Sequence, residues 1–563
     1  MQWKEVMPEL SQMKQNGSRN TESGVTSTYP EIAYEVEEYD GGLSYQMSAK
    51  EYAYPDWNTE EYSYYAENGW VSASTTPLST FAADVDTASY SNVRRMLLEG
   101  GSVPADAVRI EEMINYFHYD YELPAGDDAP FAAVTEMAPC PWNEDTYLLQ
   151  IGLSTQAVDF SEIPSSNLVF LIDVSGSMAD DDKLPLLKRA FALLTENMRD
   201  EDVISIVTYA NHDTVVLDGG SGRNKGEIRR SIEELEAYGG TNGSDGIIRA
   251  YELAEKHWIE GGNNRIILAT DGDLNIGMSD EGSLTRLIQE KAKSGVYLSV
   301  LGFGEGNISD TNMEALADHG NGNYSYIDSI MEARRTLVDE MGSTLYTVAK
   351  DVKIQVDFNP AIVKGYRLIG YENRKMEAQD FADDTKDGGE IGAGHQVTVL
   401  YEIALTGSEM DLPEVTSRYT QTEANRSTES VTEASDLEVA ETETEKKLTQ
   451  LAIAGKEETP ETTTNDNGTE NELLTVCVRY KEPDGEESIL REYPFRETQI
   501  GDEMSENMSW AAGVAQAGMI LKDSTYLGST NLDEVKARLG ALEGTHKDES
   551  REEFLYLLGR IEQ

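Results

Sequence analysis

Between Ser165 and Thr344, four short apolar runs, NLVFLID, DVISIVTYA, NRIILATD and VYLSVLGFG, alternate with stretches of helical period. Runs this short and this apolar suit strands covered on both faces, and the stretches between them supply the covering helices. Leu187, Ala190, Leu194 and Met198 share one helical face, and Ile228, Ile232 and Leu235 share another. Ile247 to Trp258 and Leu284 to Lys293 continue the series. The alternation predicts a doubly wound, mainly parallel α/β sheet over residues 164–345. It also predicts that a ligand sits at the carboxyl ends of the strands, beside the switch point in strand order.

On either side of this region the apolar period drops to two. Val352, Ile354, Val356 and Phe358 alternate with polar residues, as do Leu474, Val476, Val478 and Tyr480. QVTVLYEIAL from Gln396, FAAVTEM from Phe131 and TYLLQIGLS from Thr146 are similarly rich in strand formers. These flanks predict a discontinuous β-sandwich-like domain with the α/β domain inserted in it. The expected division is a disordered tether at 1–76, an N-terminal flanking region of helix plus strands at 77–163 and the α/β domain at 164–345. A C-terminal β flanking domain at 346–410 and 471–500 follows, interrupted by a disordered acidic insertion at 411–470. C-terminal helices, WAAGVAQAGMILKD and REEFLYLLGRIEQ, fill 501–563. The tether reading rests on Tyr-Glu and Ser-Tyr pairings with few aliphatics, too little apolar surface to offset ordering entropy. The insertion is rich in Thr, Glu and Ser, with one short helix expected at Glu445 to Ala454.

Acidic residues number 104 against 45 basic ones, giving a net charge of −59. Such a field disfavours nucleic-acid phosphate and anionic membranes and favours divalent metals and cationic partners. Cys140 and Cys477 form no CxxC pair, and the six histidines lack metal-ligand spacing, which argues against zinc chemistry and leaves a single bridge between the cysteines open. No G-x-x-x-x-G-K phosphate loop and no G-x-S-x-G elbow occurs, so Ser175 and Ser177 are not read as nucleophiles, and no enzyme activity is expected. ADVDTAS, from Ala83, lacks the Gly-Thr of a phosphatase D-x-D-G-T motif and reads as a helix N-cap. No apolar run reaches the roughly 18 to 20 residues of a transmembrane segment. MQWKEVMPELSQMKQNG lacks the apolar segment of a signal peptide.

The first apolar run ends in FLIDVSGSMAD, residues 170–180, presenting Asp173, Ser175 and Ser177 on alternate positions. A carboxylate beside two hydroxyls offers hard oxygen ligands suited to Mg²⁺ or Mn²⁺. Thr241 in GGTNGSDG and Asp271 in ILATDGD are candidates to complete the cup from neighbouring loops. An isolated Asp-x-Ser after a strand is usually only an N-cap. The added loop Thr and second strand-terminal Asp separate this case from that one.

The pattern Asp-x-Ser-x-Ser, then a loop Thr, then Asp in TDGD resembles the metal-ion-dependent adhesion site of von Willebrand factor type A (VWA) domains. The flanks FAADVDTASYSNVRRMLLEGGSVPADAVRIEEMINYF and YRLIGYENRKMEAQDFADDTKDGGEIGAGHQVTVLYEI resemble a bacterial subfamily with extra domains on both sides. The resemblance implies Ser175, Ser177 and Thr241 as direct metal ligands, with Asp173 and Asp271 direct or water-bridged. It implies non-catalytic, metal-dependent binding of a protein or other acidic ligand whose Asp or Glu completes the shell, at a bacterial cell surface. The alternative it leaves open is a cytoplasmic scaffold or regulatory subunit working with a separate ATPase.

Overall fold

The computed structural model describes residues 31–39, 42–50, 59–83, 86–125, 130–158, 163–240, 243–272, 281–386, 388–412, 471–483 and 485–561. In chain order, β1 (Glu31–Tyr39) and β2 (Gly42–Lys50) pair antiparallel, and β3 (Val71–Ser72), β4 (Leu78–Ala82), α1 (Ala88–Glu99) and α2 (Ile110–Asn115) follow. Next come β5 (Phe131–Pro139), β6 (Tyr147–Thr155), β7 (Ser166–Asp173), α3 (Leu184–Asn197), β8 (Val203–Tyr209), β9 (Asp213–Ser221) and α4 (Lys225–Glu233). The central region continues with α5 (Gly243–Lys256), β10 (Asn263–Thr270), α6 (Glu281–Ala292), β11 (Tyr297–Phe303), α7 (Asp310–His319), β12 (Tyr324–Ile327), α8 (Ile330–Arg334) and α9 (Met341–Leu345). The rest comprises β13 (Thr347–Phe358), β14 (Val363–Ile369), β15 (Lys375–Met376), β16 (Gly389–Gly392), β17 (Gln396–Leu405), β18 (Glu472–Lys481) and β19 (Ser488–Arg496). Three helices end it: α10 (Glu506–Leu521), α11 (Leu532–Ala541) and α12 (Glu549–Leu558).

The central sheet has the order β12-β11-β10-β7-β8-β9. All pairs are parallel except β8 with the edge strand β9. Every residue of β7 and β10 is buried, because helices cover both faces. Phe170 and Ile206 of the sheet cluster with Leu187 and Phe191 of α3 and Ile228 of α4. Leu171, Leu268 and Val300 cluster with Ile247 of α5, Ile288 of α6 and Met313 of α7. β7 neighbours β10 on one side and β8 on the other, so the chain winds outward from it in both directions and its carboxyl end opens at the switch point. Two strands lie outside the expected runs. β12 is wholly buried but only four residues long, and β9 is an edge strand that exposes Val215 and Val216 and carries Gly219 and Gly220, so neither leaves a long apolar run in the sequence.

The flanking sandwich consists of one sheet ordered β15-β4-β13-β18-β19, with β16 also on β13, and a second ordered β3-β14-β17-β6-β5. Its core holds Phe81, Ile354, Val356, Phe358, Tyr366, Val399, Tyr401 and Val476. Phe358 stacks on Tyr366 at 4.2 Å between centroids. The chain leaves the sandwich after β6 and re-enters it at β13 in the other sheet, so the α/β domain is an insertion. β6 and β17 are buried on both faces: Ile151 and Val399 point into the sandwich, while Leu148 and Leu400 meet a layer of helices on the far side. There Phe117 packs edge-on to Trp510 and Phe554, at 5.2 and 5.3 Å, joining the first helices of the chain to the last.

Part of the expected tether is ordered. Besides β1 and β2, Thr59 donates its N–H to Gly306 O at 2.7 Å, Glu61 to Ile308 O at 2.8 Å, and Asp310 back to Glu61 O at 3.2 Å. Asn68 Nδ2 donates to Gly370 O at 2.7 Å. Backbone hydrogen bonds and half-buried tyrosines such as Tyr62 hold this stretch, which a count of aliphatics overlooks. Residues 1–30, and the acidic insertion with its expected helix from 413 to 470, lie outside the described residues. The N-cap reading of ADVDTAS also needs correction. Thr87 stands at the N-cap of α1 without a side-chain cap bond; its hydroxyl instead accepts from Arg335 at 2.8 Å, and Asp86 accepts the Tyr324 N–H at 2.9 Å. Both side chains serve the contact between domains.

Among the described residues no helix is long and apolar enough to cross a membrane. Cys140 and Cys477 are buried and free, so no bridge joins them. Burial, helped by Glu402, pushes the Cys140 thiol up to about 12, and burial lifts Cys477 to about 11. Thiolate is the reactive form, so a disulfide-exchange reagent at neutral pH should react slowly with native protein and titrate two thiols only after denaturation. Fast reaction of either thiol in the native state would contradict this packing.

Candidate metal centre

β7 ends in Asp173, which is fully buried and aligned with Tyr209 of β8. The chain then turns sharply. The Ser175 N–H donates to Asp173 Oδ1 at 2.8 Å, and Gly176–Ala179 form a single 3₁₀ turn. This turn brings Ser175 Oγ and Ser177 Oγ to 3.0 Å of each other, with Ser175 buried and Ser177 half-buried. β10, the parallel neighbour, ends in Thr270. The Thr270 hydroxyl donates to Asp173 Oδ2 at 3.2 Å and accepts the Gly272 N–H at 3.1 Å, so Asp271 is held on a turn tied to Asp173. Asp271 is fully buried.

A third loop closes on the same place. Gly176 donates its N–H to Gly239 O at 3.0 Å, Tyr238 to Val174 O at 2.8 Å, and Gly240 to Asn211 Oδ1 at 2.8 Å. Thr241, next in the chain, lies outside the described residues. Of the five candidate residues, the structure therefore draws Asp173, Ser175, Ser177 and Asp271 together at the carboxyl ends of adjacent strands.

Burial, together with the charge of Asp271, raises Asp173 from the usual carboxylate range to about 6 despite its hydrogen bonds from Ser175 and Thr270. Two buried carboxylates beside two hydroxyls form an all-oxygen donor set, which fits a hard divalent cation. Among the described residues, no three of His, Cys, Asp and Glu gather into a metal-holding group. The hydroxyls are what would distinguish this cup.

Sequence reasoning missed three participants. Thr270 had a signal, being a polar residue closing a wholly buried strand. Lys183 and Asn307 had none: Lys183 Nζ lies 3.2 Å from Asp271 Oδ2 and 2.8 Å from Asn307 Oδ1, contacts made by residues 88 and 124 positions apart.

Comparison with known proteins agrees with this architecture. The family model for the von Willebrand factor type A domain matches residues 167–340. One described as von Willebrand factor matches 56–150, and one described as the C-terminal part of uncharacterized protein YfbK matches 343–466 and 427–563. The chain is 40% identical over 506 residues to uncharacterized protein YfbK of Escherichia coli (strain K12), covering 89% of this chain and 80% of that one. It is 31% identical over 173 residues to human inter-alpha-trypsin inhibitor heavy chain H3, covering 29% of this chain and 19% of that protein. Among solved structures, von Willebrand factor type A from Catenulispora acidiphila aligns at 16% identity with a TM-score of 0.39, covering 76% of this chain and 89% of that one.

Proposed function

Since the chain belongs to the YfbK family, with a von Willebrand factor type A domain at its centre, we propose that it is a non-catalytic binding protein working through a divalent metal. Ser175, Ser177 and Thr241 would hold Mg²⁺ or Mn²⁺ with Asp173 and Asp271, and a partner's Asp or Glu would take the open position. The observation that carries this reading is the convergence of Asp173, Ser175, Ser177 and Asp271 on one spot at the switch point of the sheet. Hydroxyl ligands leave much of the ion's charge unneutralised, so the ion attracts an external carboxylate. In a protein of net charge −59, that local positive spot is what would allow an acidic ligand to approach.

Calorimetric titration of the full chain with Mg²⁺ tests the first step. One ion bound per chain, and its release by chelator, is the expected outcome. No heat of binding up to millimolar Mg²⁺ removes the reading.

A further inference from the structure

Lys183 is a third charged group in this cup, beside Asp173 and Asp271. Its side chain is 5% exposed and pairs with the fully buried Asp271, Nζ to Oδ2, at 3.2 Å. Nζ also donates to Asn307 Oδ1 at 2.8 Å. Space for the lysine stem comes from Gly304, where φ is +80° and an added Cβ would fall 2.3 Å from Lys183 Cγ and Cε. The loop carrying Asn307 is fastened from outside, by Thr59 and Glu61 through the backbone and by Glu60, whose carboxylate accepts the Gly306 N–H at 2.9 Å. Burying an ammonium costs several kcal/mol unless it is paired, and here three separated segments are arranged to receive it.

We propose that Lys183 is a positioning residue that keeps the metal centre positive toward its ligands. The proposal rests on the metal-binding reading above. Although the hydroxyls that would touch the ion are neutral, Asp173 and Asp271 together bring two negative charges to the cup, so on a net count they would cancel a bound divalent ion; with the Lys183 ammonium the loaded cup would keep one positive charge. Because Lys183 takes one oxygen of Asp271, that carboxylate would meet a bound ion only through its other oxygen or through a water. Lys183 thus trades metal affinity for affinity toward an external carboxylate.

The two affinities move in opposite directions when the charge is removed, which separates this role from a merely structural one. In the full-length protein, Mn²⁺ uptake is followed by the loss of the free-ion EPR signal, and acetate binding to the Mn²⁺-loaded protein by broadening of the acetate methyl resonance. Lys183→Met is expected to bind Mn²⁺ about tenfold more tightly and acetate about tenfold more weakly, the size of one unit charge a few ångströms away in a partly buried site. Asn307→Ala, which loosens the ammonium without removing it, should shift both constants in the same directions by less, and it carries the test if Lys183→Met does not fold. Unchanged constants, or weaker Mn²⁺ binding in either variant, overturn the proposal alone. A wild-type chain that takes up no Mn²⁺ overturns the metal reading and this proposal with it.

Discussion

Asp173→Asn is expected to lower the proposed affinity of the chain for Mg²⁺ by more than about 100-fold while leaving its secondary structure intact. The loss is larger than the 10- to 100-fold typical of residues that only orient a ligand, because Asp173 supplies one of the two carboxylate charges and also receives the Ser175 N–H that sets the turn. The stability effect has the opposite sign without metal. Asp173 is fully buried and faces Asp271, so removing its charge relieves repulsion, and the metal-free variant should melt at or above the wild type. Excess Mg²⁺ should then reverse the ranking. At 100 times the dissociation constant, binding stabilises the wild type by about 2.7 kcal/mol and the variant by almost nothing. Melting curves of both proteins, with and without Mg²⁺, check the crossing; a metal-free variant several degrees less stable than wild type would show that Asp173 is a structural residue.

Arg109→Met destabilises the seat of the central domain on its flank by about 3–5 kcal/mol at pH 8. Arg109 is buried on the flank at the start of α2 and donates to Glu112 Oε1 at 2.5 Å and to Asp310 Oδ2, on α7 of the central domain, at 2.6 Å. Glu314 lies 3.1 Å from the same guanidinium. Removing Arg109 leaves Glu112 and Asp310, both buried, without the guanidinium that bridges them. Burial, together with the neighbouring carboxylates, already pushes Glu112 up to about 8 despite Arg109, and burial raises Asp310 as well. Without Arg109 both rise further. A carboxyl whose folded-state pKa is raised contributes stability at low pH that is lost as pH climbs through that value. Glu112 is largely protonated below about 8 with or without Arg109, so between pH 5 and pH 8 the added cost comes from Asp310, and it is greater at pH 8. Urea midpoints at the two pH values, with hydrogen exchange of 310–319 as the local probe, measure it; equal losses at both would mean that Asp310 is not coupled to Arg109.

The apolar runs 166–173, 203–209, 263–270 and 297–303 were legible because strands covered on both faces leave an uninterrupted apolar signature. The oxygen cup was legible because Asp173, Ser175 and Ser177 follow such a strand at fixed spacing. The segment 59–63 was not, since the backbone hydrogen bonds and the Glu60 contact that hold it reach residues far along the chain. Local spacing by itself thus determined a wound α/β domain between β-rich flanks, and the strand ends where ligands gather, because a helix or strand period is set by near neighbours. Only the tertiary structure decided that Lys183 and Asn307 reach Asp271 and that Arg109 meets Asp310. Those pairings join residues far apart in the chain, and a buried charge is tolerated only where the whole fold delivers its partner.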